Sequence, residues 1–583
     1  MHSDYDYVIV GGGSAGCVLA ARLSQSPGVR VLLCEAGQDL PLDNIPPSIL
    51  DSYPGTAYLN PNFMWAGLRA RPTADRPAGK YDQARILGGG SSINGQFFNR
   101  GAPADYDEWE RRGAAGWRWD TVLPYFRKTE TDLDFDGDLH GKAGPIQVRR
   151  IFPEQWPGHA KAVAKAFESQ GFKYLEDQNG AFTDGYFPIA LSNKDEKRVS
   201  VATAYLTAEV RGRRNLTIAT ETTVTRLMFD GTTCTGVELH TRGQIESVRA
   251  REVILSAGAI HSPAIMLRSG IGPGDELAGM GVPVVKALRG VGKNLMEHPS
   301  IALASYIKRA HRISGPTRHH IRVGCRYSSG IGGGPSGDML MLGVTKTSWH
   351  AVGERIGTLL TYINNPFSAS GEVTLDSPDW RQFPSVSLGM LSDERDVERL
   401  TDGFVRMAAL LASSALSAIT EHPFLASYGE KVRQIGMLSK RNKVLTDVLA
   451  ACLDGPAPLR KFLFEKVIRD APPLGDLLQD PALLRGHIRK SSAGVWHVSC
   501  TCRMGAANDP GAVTDAEGRV HGVQQLRVVD ASIFPVIPGA NTNAPTIMVA
   551  EKIAAGMLGE LVNAKIRKPA LAMAANSAMA AHS

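Results

Sequence analysis

Residues 7–16 read Tyr-Val-Ile-Val-Gly-Gly-Gly-Ser-Ala-Gly, an apolar run followed at once by a glycine-rich turn. The run predicts a buried strand, and residues 17–24 carry apolar side chains at helical spacing. Gly11 permits a tight turn, Gly13 lets a pyrophosphate approach the backbone, and Gly16 permits close packing of the helix. Strand, turn and helix in this order predict a dinucleotide site at the helix N-terminus.

A second strand, Val31 to Cys34, ends directly before Glu35. An acidic residue at this position binds a ribose hydroxyl in dinucleotide-binding folds. Because a carboxylate repels a 2′-phosphate, the residue disfavours NADP and leaves NAD and FAD open. The sequence thus predicts an α/β fold with a Rossmann-like domain.

Length and composition limit the number of domains, the kinds of partner and the location of the protein. With 583 residues and 43% apolar content, the chain is too long for one compact domain. The net charge of +6 is small, and no basic cluster is interleaved with aromatic residues, so we expect no nucleic-acid partner. Seven scattered cysteines, including the Cys500-x-Cys502 pair, suggest neither a disulfide framework nor a metal site. The early first strand and the lack of a long apolar run predict a cytoplasmic protein without a transmembrane segment.

Four further segments resemble signatures of the glucose–methanol–choline (GMC) flavin oxidoreductases, and they occur in the same order. They are residues 84–94 (Ala-Arg-Ile-Leu-Gly-Gly-Gly-Ser-Ser-Ile-Asn), residues 258–272, residues 290–295 with His298, and residues 529–532 (Val-Asp-Ala-Ser). With the N-terminal motif, the resemblance runs from about residue 4 to about residue 560. The pattern is most similar to the bacterial furan and aryl-alcohol oxidases of the family.

The resemblance implies FAD as the cofactor and assigns its contacts by motif match. The implied contacts are Gly11, Gly13, Ser14, Ala15, Gly16, Glu35, Ala36, Arg85, Gly89, Gly90, Asn94, Gly95, Val224, Ala257, Asp530, Ala531, Asn543 and Thr546. Some family members bind FAD covalently through a histidine where this chain has Ile93, so we expect non-covalent FAD. A helix that starts near Pro545 and continues to about Leu558 is expected to direct its positive end at the flavin N1–C2=O edge.

Trp496-His497 and the later Asn541-Thr542-Asn543 run are the candidate catalytic segments. Oxidation of an alcohol by a flavin needs a base beside the substrate oxygen and a second hydrogen-bonding group. His497 can accept a proton at neutral pH, and the Asn541 amide can donate to the oxygen without competing for the proton. The resemblance places His497 and Asn541 in these roles. Since other members have a second histidine in place of the asparagine, His497 is expected to be the proton acceptor alone.

For the substrate pocket we predict Trp65, Phe98, Tyr362 and Trp496, with Phe97 and Phe367 as further candidates. Aromatic side chains suit a flat ring by stacking, although aromatic residues are more often part of a core. The predicted reaction is oxidation of a primary aromatic, furanic or heteroaromatic alcohol to the aldehyde, with O₂ reduced to H₂O₂. Alternatives are the same oxidation with a quinone or another electron acceptor, or a flavin-dependent lyase or photodecarboxylase on the same fold. The absence of an evident carboxylate anchor disfavours choline-like substrates.

We expect the dinucleotide domain to be assembled from residues 1–155, 215–310 and 491–562. The resemblance assigns residues 156–214 and 311–490 to a substrate domain with an antiparallel sheet flanked by helices. We expect residues from about 431 to about 473 to form an additional basic, amphipathic helical insertion. This insertion either packs on the substrate domain or touches a membrane surface or a partner. Residues 565–583 are expected to form a disordered tail. A monomer and a homodimer both remain open.

Overall fold

The computed structural model describes residues 4–314, 317–426, 430–468 and 472–580, without the side chains of 430, 431 and 562–580. The strands in chain order are Asp4–Val10 (β1), Val31–Cys34 (β2), Arg69–Ala70 (β3), Gly79–Lys80 (β4), Glu130–Asp132 (β5), Ile146–Arg149 (β6), Gly185–Pro188 (β7), Leu191–Lys194 (β8), Lys197–Arg198 (β9), Leu216–Ala219 (β10), Thr222–Asp230 (β11), Thr233–Thr241 (β12), Gln244–Leu255 (β13), Ile271–Gly272 (β14), Lys286–Ala287 (β15), Pro299–Ile307 (β16), Ile321–Tyr327 (β17), Met339–Val344 (β18), Ile356–Ile363 (β19), Glu372–Thr374 (β20), Ser385–Ser387 (β21), Thr420–Leu425 (β22), Ala493–Gly494 (β23) and Leu526–Val528 (β24). The α-helices are Ser14–Leu23 (α1), Pro47–Leu50 (α2), Gly55–Tyr58 (α3), Pro103–Arg111 (α4), Trp119–Thr129 (α5), Gly158–Ser169 (α6), Val201–Tyr205 (α7), Ala208–Arg211 (α8), Gly258–Arg268 (α9), Gly274–Gly279 (α10), Glu394–Ala412 (α11), Ser414–Ser417 (α12), Glu430–Gly436 (α13), Lys440–Leu453 (α14), Ala457–Leu463 (α15), Leu474–Gln479 (α16), Pro481–Ser491 (α17) and Asn543–Ala580 (α18).

The first seven-stranded sheet contains the predicted dinucleotide fold. Five of its strands are parallel, in the order β10-β2-β1-β13-β24. All residues of β2 are buried, as expected for a parallel strand covered on both faces. The first half of β13 pairs with β12 in an antiparallel hairpin, and its second half lies between β1 and β24. Helix α1 follows β1 and packs against α7 and α18.

The carboxyl ends of the parallel strands form the ligand-binding edge of this sheet. The backbone N–H of Gly11 donates to the carbonyl of Cys34 at 2.8 Å, and that of Ser256 donates to the carbonyl of Val10 at 2.7 Å. Open α/β sheets bind ligands outside the carboxyl ends of their strands. The glycine-rich turn, Glu35 and the start of α9 therefore meet at one edge.

The second seven-stranded sheet is antiparallel, in the order β22-β16-β19-β18-β17-β7, and β23 pairs with β16. Helices α6 and α11 pack on this sheet and share a second apolar core with it. This is the expected antiparallel sheet flanked by helices.

The first domain is predicted to continue to residue 310, but the strand just before this point belongs to the second sheet. Strand β16, from Pro299 to Ile307, belongs to the second sheet, and all nine of its residues are buried. Its sequence, Pro-Ser-Ile-Ala-Leu-Ala-Ser-Tyr-Ile, is apolar enough for a strand of either sheet. Composition alone therefore does not assign β16 to one of the two sheets. The chain passes from the first sheet to the second near His298. We retain two domains as a proposal with the boundary moved to this point.

The C-terminal helix is longer than the sequence predicted. It runs from Asn543 to Ala580 instead of ending near Leu558, and the disordered tail expected from residue 565 stays a prediction. The alanine, leucine, methionine and lysine residues of this stretch have high helix propensity. The predicted insertion contains α13, α14 and α15, whereas its residues 469–471 and the chain end at 581–583 lie outside the described residues. Among the described helices, none is long and apolar enough to cross a membrane.

Candidate active site

The two predicted catalytic side chains are in direct contact. His497 lies in the segment after β23, and Asn541 lies two residues before α18 begins. The Asn541 amide nitrogen Nδ2 is 3.1 Å from His497 Nε2, and His497 Nδ1 is 2.9 Å from His298 Nδ1. His298 directly precedes β16, so the site lies where the two sheets meet.

These contacts assign the tautomers of both histidines. Because the Asn541 amide donates to His497 Nε2, that nitrogen must be an unprotonated acceptor. A neutral His497 then has its hydrogen on Nδ1, which donates to His298 Nδ1. His298 in turn has its hydrogen on Nε2. The geometry thus leaves a lone pair on His497 Nε2, beside the Asn541 amide.

The buried carboxylate of Glu297 anchors the backbone of this site. Its Oε1 accepts hydrogen bonds from the backbone N–H groups of His497 at 2.8 Å and His298 at 2.9 Å, and its Oε2 accepts from the Tyr81 hydroxyl at 2.9 Å. Trp496 has a φ of 63°, a left-handed conformation that is uncommon for a bulky side chain. Glu297 therefore stabilises a strained turn that orients His497.

Burial keeps both histidines neutral. Loss of solvation lowers the pKa of His497 well below its ordinary value, and the adjacent His298 lowers it further. Burial lowers the pKa of His298 to about 3, although the backbone carbonyls of Asn364 and Pro538 oppose the shift. Burial raises the pKa of Glu297 to about 7, against the stabilising hydrogen bonds from the backbone N–H of His497, the Tyr81 hydroxyl and the backbone N–H of His298. A neutral imidazole is the form that can act as a base.

Tyr362, a predicted pocket residue, lies beside this pair. Its ring centroid is 6.3 Å from that of His497 and 5.7 Å from that of His298. The Tyr362 hydroxyl and the Asn541 carbonyl oxygen Oδ1 are buried and have no hydrogen-bond partner among the described residues. Buried polar atoms are normally paired, so two such atoms at one site point to a polar ligand.

The other predicted pocket residues are more dispersed. Trp496 is 48% exposed at the site itself. Phe98 is fully buried in the core of the first sheet, and its place in the pocket stays a prediction. Trp65 packs on His261 with ring centroids 4.7 Å apart, beneath the Arg85 guanidinium at 4.9 Å. The two further pocket candidates, Phe97 and Phe367, also have contacts with residues outside the His497 site.

Phe97 forms an isolated bridge with Leu191 and packs near His319, and Phe367 lies beneath the guanidinium groups of Arg395 and Arg399. These rings stabilise the segments around them. The contacts near His497 thus support Tyr362 and Trp496 more strongly than the remaining aromatic candidates.

Two glycine-rich loops adjoin at the ligand-binding edge of the first sheet. The Gly88 N–H donates to the Gly12 carbonyl at 2.7 Å, and a Cβ on Gly89 would lie 2.8 Å from the Cα of Gly13. A Cβ on Gly90 would meet no atom within 4 Å. The loops therefore support each other and leave open space beside Gly90, as a cradle for a dinucleotide requires.

Glu35 lies at the predicted ribose position. Its Oε2 accepts from the Gly12 N–H at 2.8 Å and its Oε1 from the Gly37 N–H at 2.7 Å, and each oxygen has a further lone pair for a hydroxyl group. Burial raises the pKa of this carboxyl. Arg85 donates to the carbonyl of the neighbouring Ala36 at 3.2 Å. Their contact with the adenosine part of the cofactor stays a prediction.

The N-termini of α1 and α18 meet on the other side of the glycine turn. The Ser14 hydroxyl at the start of α1 donates to Asn543 Oδ1 at the start of α18, with a distance of 2.8 Å. Ala15 and Gly16 continue α1, and Thr546 lies in the first turn of α18 with its hydroxyl donating to the Thr542 carbonyl. Two partial positive charges therefore face one region, which suits an anionic pyrophosphate and an anionic reduced flavin.

The remaining predicted cofactor residues have structural partners. Asp530 accepts from the N–H groups of Gly258 and Ser532 and from the Ser262 hydroxyl, next to Ala531, and Ala257 precedes α9. Asn94 accepts from Arg198 at 2.9 Å, while the carbonyl of Gly95 is 3.0 Å from His319 Nε2. Val224 is buried in β11. Their contacts with the cofactor stay predictions.

Sequence reasoning missed the roles of Glu297 and His298. The sequence contained a signal, because Met-Glu-His-Pro at residues 296–299 closes one of the segments on which the family resemblance rests. Only the fold shows that this segment meets His497, which is about two hundred residues away in the chain.

A second buried polar cluster lies outside this site. Glu130, Asp132 and His140 have ligand atoms close enough together to suit a metal ion. However, Arg100 pairs with Glu130, while Arg150 pairs with both Asp132 and Asp177. Bound cationic side chains already balance these carboxylates, so we assign the cluster to a structural ion network.

Fold and site together are typical of a two-sheet oxidoreductase with a dinucleotide cofactor, and they place a buried, neutral histidine beside an asparagine. The family model for GMC oxidoreductases matches residues 5–300 and 366–550. The chain therefore belongs to the GMC oxidoreductase family. Membership of this family identifies FAD as the cofactor that the glycine loops fit.

Known relatives match almost the whole chain. The 5-(hydroxymethyl)furfural oxidase of Methylovorus sp. (strain MP688) is 42% identical over 569 residues, which cover 95% of this chain and 98% of the relative. Human mitochondrial choline dehydrogenase is 33% identical, with 94% and 89% covered. Among solved structures, pyridoxine 4-oxidase from Mesorbium loti has a TM-score of 0.78 at 28% identity, with 95% of this chain and 99% of that chain covered.

Proposed function

We propose that this chain oxidises a primary alcohol on an aromatic, furanic or heteroaromatic ring to the aldehyde, with FAD as cofactor and O₂ as electron acceptor. The observation that carries the proposal is the unprotonated His497 Nε2, which the Asn541 amide and His298 hold in place. An imidazole lone pair beside an amide donor can bind and deprotonate an alcohol.

Bound FAD would supply the hydride acceptor, at N5, and the route by which the electrons reach O₂ to give H₂O₂. The two glycine loops, Glu35 and the paired helix N-termini would hold it. Ile93 occupies the position at which some family members attach FAD through a histidine, so we propose that the cofactor here is non-covalent.

His497 and Asn541 act on the substrate oxygen. In our proposal the alcohol O–H donates to His497 Nε2 in place of the Asn541 amide, and the amide donates to the alcohol oxygen instead. His497 takes the proton as hydride leaves the carbon, while its Nδ1–H remains bonded to His298. Because the lowered pKa makes His497 imidazolium unfavourable in this buried site, the proton is released readily afterwards.

The site chemistry favours a neutral, flat alcohol. Trp496 and Tyr362 offer aromatic faces near His497. Glu297 is a buried acid bonded to the His497 backbone, and because burial raises its pKa to about 7 it is partly neutral at neutral pH and offers only a weak anchor for a quaternary ammonium group. The furfural oxidase and pyridoxine oxidase relatives are named for ring-borne alcohols, which supports the same substrate class.

The same oxidation with a quinone or other acceptor is the second candidate. Choline dehydrogenases, at 33% identity in the human enzyme, show that dehydrogenases occur among the relatives. The His497–Asn541 pair speaks against a photodecarboxylase, since loss of CO₂ from a carboxylate needs no base beside an alcohol oxygen. A lyase that cleaves a hydroxylated substrate can use such a base, and it differs from the oxidase because its substrate does not reduce the flavin. A cytoplasmic location and a monomer or homodimer stay predictions.

The test is anaerobic mixing of the yellow holoprotein with benzylic, furanic, pyridine and aliphatic alcohols, followed by admission of air. We expect an aromatic alcohol to bleach the flavin band, and air to restore it rapidly with formation of peroxide. Slow recovery in air, with fast recovery on addition of a quinone, would establish the dehydrogenase. If no alcohol bleaches the flavin, the proposed oxidation is wrong.

A further inference from the structure

The helical insertion exposes apolar side chains that a packed helical pair would bury. On α14, Val444, Leu445 and Val448 are 63%, 52% and 59% exposed, and on α15 Leu459 and Phe462 are 41% and 56% exposed. We call these five residues the insertion surface. Large exposed apolar side chains are common singly, but their concentration on two adjacent helices is typical of a contact surface.

The inner side of the insertion is firmly attached to the protein. Leu453 and Phe464 are buried with Tyr306 of β16 in a small separate core. Asp454, at the end of α14, pairs with Arg312 and Arg355 at 2.6 Å each and accepts from the Tyr306 hydroxyl at 2.9 Å. The insertion surface therefore faces away from a well-anchored base, and its exposure does not result from loose packing.

The same segment has a net positive charge. Residues 440–468 have six basic residues, Lys440, Arg441, Lys443, Arg460, Lys461 and Lys466, against three acidic ones, Asp447, Asp454 and Glu465. The resulting net charge of +3 is half of the +6 of the whole chain. All of these basic residues except Arg460 are exposed. Exposed apolar and basic side chains thus occur together.

We propose that the insertion surface binds a membrane surface rich in anionic lipid headgroups. Val444, Val448 and Phe462 enter the boundary between headgroups and acyl chains, while Lys440 and Arg441 pair with the headgroup charges. Lys443, which lies 2.7 Å from a carboxylate oxygen of Asp447, exchanges this ion pair for a headgroup. Binding of surface helices to membranes grows with the apolar area buried and with the attraction of basic side chains to anionic lipids. Anionic lipids give the cytoplasmic face of a membrane the negative potential that attracts such a segment.

The basic side chains beside the insertion surface favour an anionic membrane over a second copy of the chain, and the type of its apolar side chains favours a membrane over a nucleic acid. Two copies of the chain meeting through this surface would bring two sets of basic side chains together, which is unfavourable in a symmetric interface. The exposed apolar residues are mainly aliphatic, whereas nucleic-acid surfaces interleave basic residues with aromatic ones. The proposal does not depend on the chemistry of His497.

The experiment uses the full-length FAD-bound protein and sedimentation with phosphatidylcholine vesicles, with and without phosphatidylglycerol. We expect binding to the phosphatidylglycerol vesicles, weaker binding at high salt, and little binding to pure phosphatidylcholine. Lys440→Gln/Arg441→Gln/Lys443→Gln should lower the affinity about 100-fold, since each basic residue near the surface contributes about fivefold. Val444→Ser/Val448→Ser/Phe462→Ser should also lose most binding.

Matched variants elsewhere on the surface serve as controls. Lys161→Gln/Lys165→Gln/Lys173→Gln makes the same charge change, and Ile245→Ser replaces a residue that is 60% exposed. These controls should bind vesicles as the wild type does, and all variants should show the same flavin spectrum. No vesicle binding by the wild type, or equal losses in the control variants, would overturn the proposal. So would a dimer that only the insertion variants dissociate, or binding that is retained when both insertion triples are combined.

Discussion

His497 and His140 are two largely buried histidines with opposite protonation. The ring nitrogens of His497 contact the Asn541 amide and His298, and its pKa lies well below the ordinary value. The ring nitrogens of His140 each lie 2.9 Å from a carboxylate oxygen, of Asp132 and of Asp177. These carboxylates overcome the effect of burial and raise the pKa of His140 to about 10. Neutral partners thus leave His497 as a neutral imidazole that can accept a proton, and carboxylate partners make His140 a cation at neutral pH.

The surroundings of His140 also show why it is structural. Arg150 and His140 both bridge Asp132 and Asp177, and Arg100 pairs with the neighbouring Glu130. The network therefore sets three cations against these three carboxylates, with Asp134 as a fourth at 3.8 Å from Arg150, and joins distant segments of the chain. Such a cluster stabilises one arrangement of the backbone and has no group available for proton transfer.

Replacing the base should have the largest effect. We expect His497→Ala to lower the rate of flavin reduction by about 10²–10⁴-fold, because general-base catalysis is lost. Anaerobic stopped-flow absorbance measures this rate, and the flavin spectrum shows whether FAD is still bound. A near-normal rate in this variant would show that another group takes the proton.

Replacing the structural histidine should affect stability and leave the chemistry intact. His140→Gln is expected to lower the free energy of unfolding by about 3 kcal/mol, since buried carboxylates lose a paired cation. Denaturant unfolding of the holoprotein measures this change, and the rate of flavin reduction in the remaining folded protein should equal that of the wild type. A loss of rate similar to that of His497→Ala would contradict the division of roles.

The pH dependence of stability provides a second test of His140. Its pKa in the folded protein, about 10, lies above the ordinary 6.5, so folding takes up protons between these values. The stabilisation is complete below about pH 6.5 and is lost as pH rises through about 10. We therefore expect the wild type to lose more stability than His140→Gln between pH 7 and pH 10. Parallel curves for the two proteins would contradict the raised pKa.

Local motifs predicted much of the fold, and long-range contacts account for what was missed. The turn at Gly11 and the acid at Glu35 could be assigned because their function depends on short segments of sequence. The meeting of His497 with Asn541 followed only from the family resemblance. Neither source gave His298 or His140 a role, because a histidine's pKa depends on partners that the fold brings from distant segments.

His298 should control the tautomer of His497. His298→Leu removes the acceptor for the His497 Nδ1–H, so the imidazole is free to place its hydrogen on Nε2, where it cannot act as a base. We expect a loss of roughly 10–10²-fold in flavin reduction, smaller than for His497→Ala because the base is still present. His298→Asn is the matched control, since its Oδ1 can replace Nδ1 as acceptor. Equal losses in both variants would indicate a packing role.

We expect the smallest effect from the ionisation of Glu297, which should make the rate of flavin reduction depend on pH near neutrality. Its pKa of about 7 lies above the ordinary 4.5, so the carboxyl is protonated below pH 7 and ionised above it. Ionised Glu297 places a negative charge beside the backbone of His497 and makes the imidazole a stronger base. We expect flavin reduction to rise severalfold, on the order of 2–5-fold, as pH increases through about 7. Because the pKa of His497 itself lies well below 6.5, its own titration should not appear in this range.

Glu297→Gln distinguishes these two origins of pH dependence. The variant keeps an acceptor for the backbone N–H groups and a polar partner for Tyr81, but it cannot ionise. Its rate of flavin reduction should be nearly constant around pH 7. Folding of the wild type, which takes up a proton at Glu297, should also lose stability as pH rises from about 4.5 to about 7, and the variant should lack this loss. If the rate of the variant still rises near pH 7, His497 itself titrates there, and the contrast with His140 is smaller than the structure indicates.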